Sequence, residues 1–544
     1  MPDTEDRTEP VLTGKCMTDS TAIRRVALFS AFALVCFLAG ISPTWPLSDD
    51  HIHYSFVGDT IMNGGVPYRD AWDLKGPLNY YVFGWARALL GRNEHAIRIF
   101  DLIIVSSFCW QLRSLVLRLN GKRKSDANLA VVFFLICYYT SGYYWIAQPD
   151  DWAGMLVLVA VSFLLDETRH RYVDTAAAGF AIALAILLKP TYIIFIPLML
   201  LHIGRERILS ADNIREFLAG LVVIVIVVSA SYLWIFRNGG FQDLIDAMRF
   251  VKADYGSFVE RILPVRLHRG VATLNNLGLV VPYCLAIVAL WAIARSGHHR
   301  VAGLLGAWFV LCVVMLMYQG MYWYYEFFPA TISVAVLFGV ALGHAGLLNR
   351  NVTARYVSDG IIFLLLGMIC LAPLESKTLF GAIGWPEYAF GHRDRADYFV
   401  QITEPGDEQY AIERLSRYLS INTGEKARIQ IWGYHGLGAL TQSNRSVATR
   451  FGTTWAVMDD TPVQSRYRQI FMEELSQADP DYIVVELNVL WDGPRPPPMW
   501  KYPEFSQYLH SHYELIGHVV AFQIWVRTTP SSAHNDNASR RHSS

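Results

Sequence analysis

Ser48-Asp49-Asp50-His51-Ile52-His53-Tyr54 and, a little further on, Gly65-Val66-Pro67-Tyr68-Arg69-Asp70-Ala71-Trp72-Asp73-Leu74-Lys75-Gly76-Pro77-Leu78 follow directly on an apolar run from Val26 to Ile41. Arg24-Arg25 precede that run. Short cytoplasmic segments collect Lys and Arg, so the run reads as a first membrane span with a cytoplasmic N-terminus. The polar stretch then lies at the external face, with acids, bases and aromatic rings gathered where bilayer meets water.

The rest of the chain agrees with a membrane setting. Of 544 residues 53% are hydrophobic and only 17% charged, well below the roughly 25% charged of a soluble average. Long apolar runs fill residues 26–373, whereas the part beyond reads as a water-soluble domain. A formal net charge of −1 gives no basic excess for nucleic acid and no acidic tail. Cys16, Cys36, Cys109, Cys137, Cys284, Cys312 and Cys370 lie in the N-terminal tail or in apolar runs, so neither a disulfide framework nor a CxxC metal site is visible. The Val26 run reads as a retained anchor, since no small-x-small cleavage site follows it.

A span needs about 20 mainly apolar residues to cross roughly 30 Å of hydrocarbon. Leu78 to Leu90 is too short and contains Asn79 and Arg87. If it crossed, the basic loop of Arg118, Lys122, Arg123 and Lys124 would be external, against the positive-inside rule. It therefore reads as an interfacial helix, with Tyr80, Tyr81, Trp85 and Arg87 at headgroup depth. Spans are then expected at about 26–43, 97–117, 127–147, 152–166, 173–188, 190–204, 214–236, 272–294, 301–318, 324–345 and 358–373, eleven in all. Beyond Pro373 a helix over 406–420 and strands at Ile429–Trp432, Tyr482–Val485 and Phe522–Trp525 predict a small α/β domain. A Pro-rich loop (Pro494, Pro496, Pro497, Pro498) interrupts it.

The expected fold is thus mainly α, a polytopic membrane protein with about eleven transmembrane helices and a C-terminal α/β soluble domain. Its parts are a disordered cytoplasmic tail (1–25), a transmembrane catalytic domain (26–373) whose first external loop (44–96) carries interfacial helices, an external α/β domain (374–528) and a disordered tail (529–544).

Several side chains can carry chemistry. Ser48 or an aspartate caps a helix from about His51 to Asn63, stopped by Gly64-Gly65. A cap needs one acid at most, and a second carboxylate beside a membrane is costly without work or a partner. Asp49 or Asp50 can take the proton of an acceptor hydroxyl as it attacks a sugar, the general-base role in a single displacement. Lys75, just before the helix-initiating Gly76-Pro77, can meet a phosphate with the helix dipole behind it, which a phosphate leaving group requires. Arg69 snorkels at the interface or joins Lys75 on that phosphate. His51 and His53 are metal-ligand types, but positions i and i+2 on a helix do not face one another, so no metal is expected. Weaker candidates are Tyr68 and Asp73 in the same loop and Asp150 in Gln148-Pro149-Asp150-Asp151. Lys189 in Lys189-Pro190-Thr191, where a snorkelled turn lysine is the default, and Glu326 in the aromatic stretch Tyr322–Pro329 complete the set.

The acidic pair after the first span, followed by G-x-P-Y-x-D-x-W-D-x-K-G-P-L-x-Y, resembles the first external loop of GT-C glycosyltransferases, in the branch of protein O-mannosyltransferases and lipid A aminoarabinose transferases. Leu188-Lys189-Pro190-Thr191, the aromatic stretch and Ile431-Trp432-Gly433 extend the resemblance. It implies an inverting, metal-independent enzyme without cofactor. Such an enzyme moves a sugar from a polyprenyl-phosphate donor to a glycan, lipid or protein acceptor at the external face of the inner (plasma) membrane. Asp49 matches the candidate base and Lys75 the lysine on the carrier phosphate. Asp50 stands where the family commonly has Glu, and Gly76 where it commonly has Pro, a replacement expected to loosen the turn at Lys75. Alternatives are a flippase or transporter of lipid-linked sugars, and a glycan polymerase or ligase. The first calls for ionisable groups near the midplanes of spans.

Overall fold

The computed structural model describes residues 26, 29–120, 124–166, 171–203, 211–259, 263–348, 377–403, 409–487 and 499–528. The expected span 358–373, both tails and the Pro-rich loop lie outside these residues. The chain is mainly helical. Helices α1 (Phe29–Thr44) and α2 (Asp49–Met62) meet at a 54° bend, and α3 (Pro77–Leu90) follows. Next come α4 (Glu94–Leu119), α5 (Lys124–Thr140), α6 (Pro149–Leu164) and α7 (Arg171–Leu188). After α8 (Leu198–Ile203) the chain builds α9 (Ala211–Arg237), α10 (Phe241–Val259), α11 (Leu263–Asn276), α12 (Val280–Arg295), α13 (His299–Gln319) and α14 (Phe328–Leu348).

Among the described residues five helices are long and apolar enough to cross a membrane, or up to seven if each bent pair is one span. On α9, Val222, Val225, Ile226, Leu233, Trp234 and Phe236 are exposed, the outward apolar face that lipid covers. The expected span 272–294 is different in the structure. Helices α11 and α12 cross at 97°, with Gly278 at φ +66 between them, so residues 272–276 belong to a separate helix. The basic Arg266, His268 and Arg269 of α11 explain why that helix does not continue the apolar run.

Helix α3 has 14 residues, about 21 Å of helix, short of the hydrocarbon thickness. Its packing corrects the reading of two of its side chains. Arg87 is 2% exposed and donates to both carboxylate oxygens of Asp59 at 2.9 Å, and Tyr80 is fully buried; only the Tyr81 and Trp85 side faces outward. The burial follows from contact between two glycines. A Cβ on Gly58 would lie 2.6 Å from the Gly84 nitrogen, and one on Gly84 2.8 Å from the Gly58 oxygen. Helices α2 and α3 thus touch backbone to backbone, which brings Arg87 under α2.

Beyond α15 (Lys377–Ala389) and α16 (Arg395–Ile402) the chain forms α17 (Gln409–Asn422), β1 (Arg428–Trp432), α18 (Leu437–Ser443) and β2 (Ser446–Val447). Then follow α19 (Trp455–Met458), α20 (Gln464–Ala478), β3 (Tyr482–Glu486), α21 (Pro503–His512), β4 (Tyr513–Val519) and β5 (Phe522–Arg527). The described strands make one sheet in the order β2-β1-β3-β5-β4. Strand β1 runs parallel to β2 and β3, and β5 antiparallel to β3 and β4. Strand β4 was not anticipated from sequence: it is an edge strand, its residues from Glu514 to Leu515 are exposed, and its register shifts between Leu515 and Gly517, so it lacks clean alternation.

This sheet unit sits on the first loop. Trp72 inserts between Phe250, Phe451, Trp455 and Tyr467, donates from its ring to the Tyr467 hydroxyl at 3.0 Å, and gives its backbone N–H to the Arg450 carbonyl at 2.9 Å. A Cβ on Gly438 of α18 would lie 2.9 Å from Ile52 of α2. Aromatic burial of this kind fixes orientation as well as area, so α2 and the C-terminal ends of β1 and β3 face each other.

Candidate active site

Helix α2 begins with Ser48 as N-cap, and the His51 ring completes a capping box: His51 Nδ1 accepts the Ser48 backbone N–H at 3.1 Å. Neither aspartate is needed as the cap. Asp49 and Asp50 occupy the first helical turn, where a carboxylate is favoured by the dipole, and their side chains are left for other partners. Asp49 Oδ2 lies 3.5 Å from Nε2 of His435, and its side chain retains 28% exposure. Burial raises the Asp49 carboxyl above its ordinary value, while the charges of His435 and His53 pull it down. Asp50 is half-buried beside it.

The two histidines of the motif are held within the protein. His51 is fully buried and stacks on Phe83. His53 Nδ1 bonds the Asp49 carbonyl at 2.8 Å and its Nε2 pairs with the Thr453 hydroxyl at 2.9 Å. Among the described residues no group of three or more His, Cys, Asp or Glu could hold a metal ion.

The loop from Gly65 to Gly76 is built to hold Lys75. Tyr68 adopts φ +69, a strained conformation for a bulky residue that costs about 1–3 kcal/mol. It is held there by its N–H to the Ala71 carbonyl at 2.8 Å and by its hydroxyl, which donates to the Lys75 carbonyl at 2.7 Å. The Tyr80 hydroxyl accepts the Lys75 N–H at 2.8 Å and lies 3.0 Å from the same carbonyl. Two buried tyrosines thus grip both backbone groups of the lysine. The ammonium lies 5.9 Å from the centre of the Tyr54 ring. Asp73 is 5% exposed; burial raises its carboxyl, and the charges of His53 and Lys75 lower it. Asp73 thus senses both His53 and Asp50 of α2 and Lys75 of its own loop.

Gly76 corrects the expectation of a loosened turn. Its N–H donates to the Leu188 carbonyl at 3.2 Å, and a Cβ there would lie 2.2 Å from the Leu187 oxygen and 2.8 Å from the Leu188 oxygen. The glycine lets the Lys75 loop lie against the end of α7, one residue from Lys189.

Lys189 itself is no snorkelled turn residue. Its ammonium donates to Asp150 Oδ2 at 2.7 Å and to Gln319 Oε1 at 2.9 Å, and lies 3.9 Å from Glu326 Oε1. Asp150 and Glu326 are buried, so one lysine brings together three candidates scattered over the sequence. Asp151 explains why Asp150 is available: Asp151 accepts the Gln148 N–H at 3.0 Å in the capping position. Glu326 also feels the charge of Lys75. Arg69 lies elsewhere in the loop, its guanidinium taken up by the Asp70 carboxylate at 2.8 and 2.6 Å and by the Asn238 carbonyl at 2.5 Å.

Two residues at this site escaped sequence reading. His435, three residues past the end of β1, and Glu486, the last residue of β3, lie at the C-terminal ends of these parallel strands, 386 and 437 positions downstream of Asp49. The nearest signal was the strand–turn sequence Ile431-Trp432-Gly433, which marks a strand end, where α/β sheets build sites.

Residues 74–234 match the family model described as dolichyl-phosphate-mannose-protein mannosyltransferase. That segment contains Lys75, Asp150 and Lys189 but begins after Asp49. A comparison with curated proteins finds no match. Among solved structures, ArnT from Cupriavidus metallidurans bound to undecaprenyl phosphate is 14% identical, with a TM-score of 0.56 over 95% of this chain and 98% of that one. Its apo state is also 14% identical, at 0.54 over 93% and 98%. The oligosaccharyltransferase of Archaeoglobus fulgidus is 13% identical, at 0.44 over 92% and 74%. The molecule is a multi-pass membrane protein with the fold of GT-C glycosyltransferases. Its fold is similar to that of ArnT over nearly its whole length, and residues 74–234 match the mannosyltransferase family model.

Proposed function

We propose that this protein is an inverting membrane glycosyltransferase that takes a sugar from a polyprenyl-phosphate donor and places it on a hydroxyl of a cell-envelope acceptor (lipid-linked glycan, polysaccharide or protein). Asp49 accepts the acceptor proton as the new glycosidic bond forms. The bond between the sugar and the phosphate breaks with its electron pair on the phosphate, where Lys75 and the start of α3 meet the growing charge. Asp50 supports the acid, and Lys189, fixed by Asp150 and Glu326, stands beside the Lys75 loop. No metal is assigned, because Lys75 and the start of α3 supply the positive charge.

The observation that carries this reading is the pairing within one loop of an acid that no cap requires, Asp49, with a lysine gripped at both backbone groups by Tyr68 and Tyr80. Both are preorganised, as transition-state stabilisation demands. The positive-inside rule supports a cytoplasmic N-terminus, an external loop 44–96 and an external C-terminal unit in an inner membrane. The sugar-carrier class is supported by the family pattern over 74–234.

The test compares surface glycans of cells with and without the gene by mass spectrometry. Loss of a single sugar residue is expected. Loss of a whole repeating unit would instead indicate a polymerase or ligase, and a retained product with stalled carrier-lipid transport a flippase.

A further inference from the structure

Asp49 does not stand alone at its helix start. The turn Trp432-Gly433-Tyr434-His435, leaving β1, wraps the carboxylate of Glu486 at the end of β3. Glu486 Oε2 accepts the N–H of Tyr434 at 2.7 Å and of His435 at 3.1 Å, while Oε1 bonds His435 Nδ1 at 2.7 Å. The wrapping requires glycine: Gly433 has φ +154, and a Cβ on it would lie 2.3 Å from Glu486 Oε2. The Glu486 side chain has no exposed surface and that of His435 has 9%. The imidazole is thereby fixed at one nitrogen and presents the other, Nε2, to Asp49.

We propose that His435, clamped by Glu486, is the positioning residue of Asp49, so that the C-terminal sheet unit completes the base of the membrane part. This rests on Asp49 being the base. A carboxylate that has lost much of its water needs a fixed cation or donor to stay ionised and to hold its orientation. His435 engages Oδ2 and leaves Oδ1 for the acceptor proton. Glu486 performs that service for the imidazole: burial pushes its carboxyl up, but the His435 hydrogen bond and charge and the two backbone N–H groups bring it below its ordinary value. An ionised, immobile carboxylate on Nδ1 favours the imidazolium on Nε2. The other groups acting on Asp49 are His53 and Asp50 from its own helix and Glu486 itself, whose charge pushes the Asp49 carboxyl up, and Tyr144, after α5, senses both aspartates.

The experiment uses native membrane vesicles, which carry their own donor and acceptor, and reads the glycosylated product by mass spectrometry as an initial rate across pH. The enzyme is active when its base is ionised, so the rate rises with pH through the acid limb. His435→Ala and His435→Gln are expected to lower the rate about ten-fold or more and to move that limb to higher pH by about one to three units. Glu486→Gln, which frees the imidazole but also removes a negative charge that raises Asp49, should lower the rate with little movement of the limb. Asp49→Asn should lose about 10²–10⁴-fold. If Asp49→Asn is inactive while the His435 variants keep the wild-type limb, the positioning role is overturned and the base reading stands, even if their rates fall. If Asp49→Asn transfers at the wild-type rate, the base reading itself fails. Thermal unfolding of each purified variant identifies a misfolded His435→Ala, in which case His435→Gln decides.

Discussion

Replacing Gly76 separates two explanations of the Lys75 loop. Its backbone, at φ −66 and ψ 150, is one that alanine and proline both adopt comfortably. An argument from backbone conformation therefore makes either substitution harmless, and from unfolded-state entropy mildly stabilising. The contacts argue the opposite. A Cβ would meet the Leu187 oxygen at 2.2 Å and its carbon at 2.8 Å, both backbone atoms at the end of α7 that cannot rotate away. Overpacking of this kind costs about 1–3 kcal/mol. Proline adds the loss of the N–H bond to Leu188, another 0.5–1.5 kcal/mol or so. The loop must retreat from α7 and carry Lys75 with it, and a displacement near 1 Å at a reacting centre costs about 10²-fold in rate. Thermal unfolding of detergent-solubilised protein should give a lower midpoint for Gly76→Ala and a lower one still for Gly76→Pro, and both should be impaired in sugar transfer by native membranes. A Gly76→Pro variant as stable and active as wild type would refute the packing argument.

How much of this was readable beforehand follows from where the information lies. The apolar runs, the Ser48 start of α2 and strands β1, β3 and β5 are local patterns, and the chain writes them locally. Lys75 was legible because its neighbours Asp73, Gly76 and Pro77 are part of one motif. Arg87 was misjudged because its burial depends on Gly58 and Gly84 meeting across two helices. Lys189 was misjudged because Asp150 and Glu326 reach it from α6 and from the short turn that precedes α14. The break between α11 and α12 was missed because the apolar count continued across it. His435 and Glu486 were invisible because only the tertiary fold brings the C-terminal ends of β1 and β3 to α2.

Three further outcomes are expected. Lys189→Met leaves Asp150 and Glu326 facing each other without their shared cation, and breaking a buried pair from one side costs about 3–5 kcal/mol; denaturant unfolding should show it, and the doubly substituted Lys189→Met/Asp150→Asn protein should recover part. Asp59→Ala strands the buried Arg87 charge and should destabilise more than Arg87→Met, which leaves the 26% exposed Asp59 able to reach water; a double-mutant cycle on unfolding midpoints measures the difference. Transfer by membranes treated with a chelator should continue at the untreated rate, and a loss restored by a divalent cation would contradict the metal-free assignment.

The most direct measurement is sugar transfer by native membranes carrying wild type, Asp49→Asn, Lys75→Ala or both, with each protein's abundance and unfolding midpoint recorded alongside. The account predicts folded, abundant variants with transfer reduced about 10²-fold or more for each single substitution, and a double variant little worse than the weaker single one, since base and phosphate cation serve one step. Transfer at the wild-type rate in both single variants would contradict it.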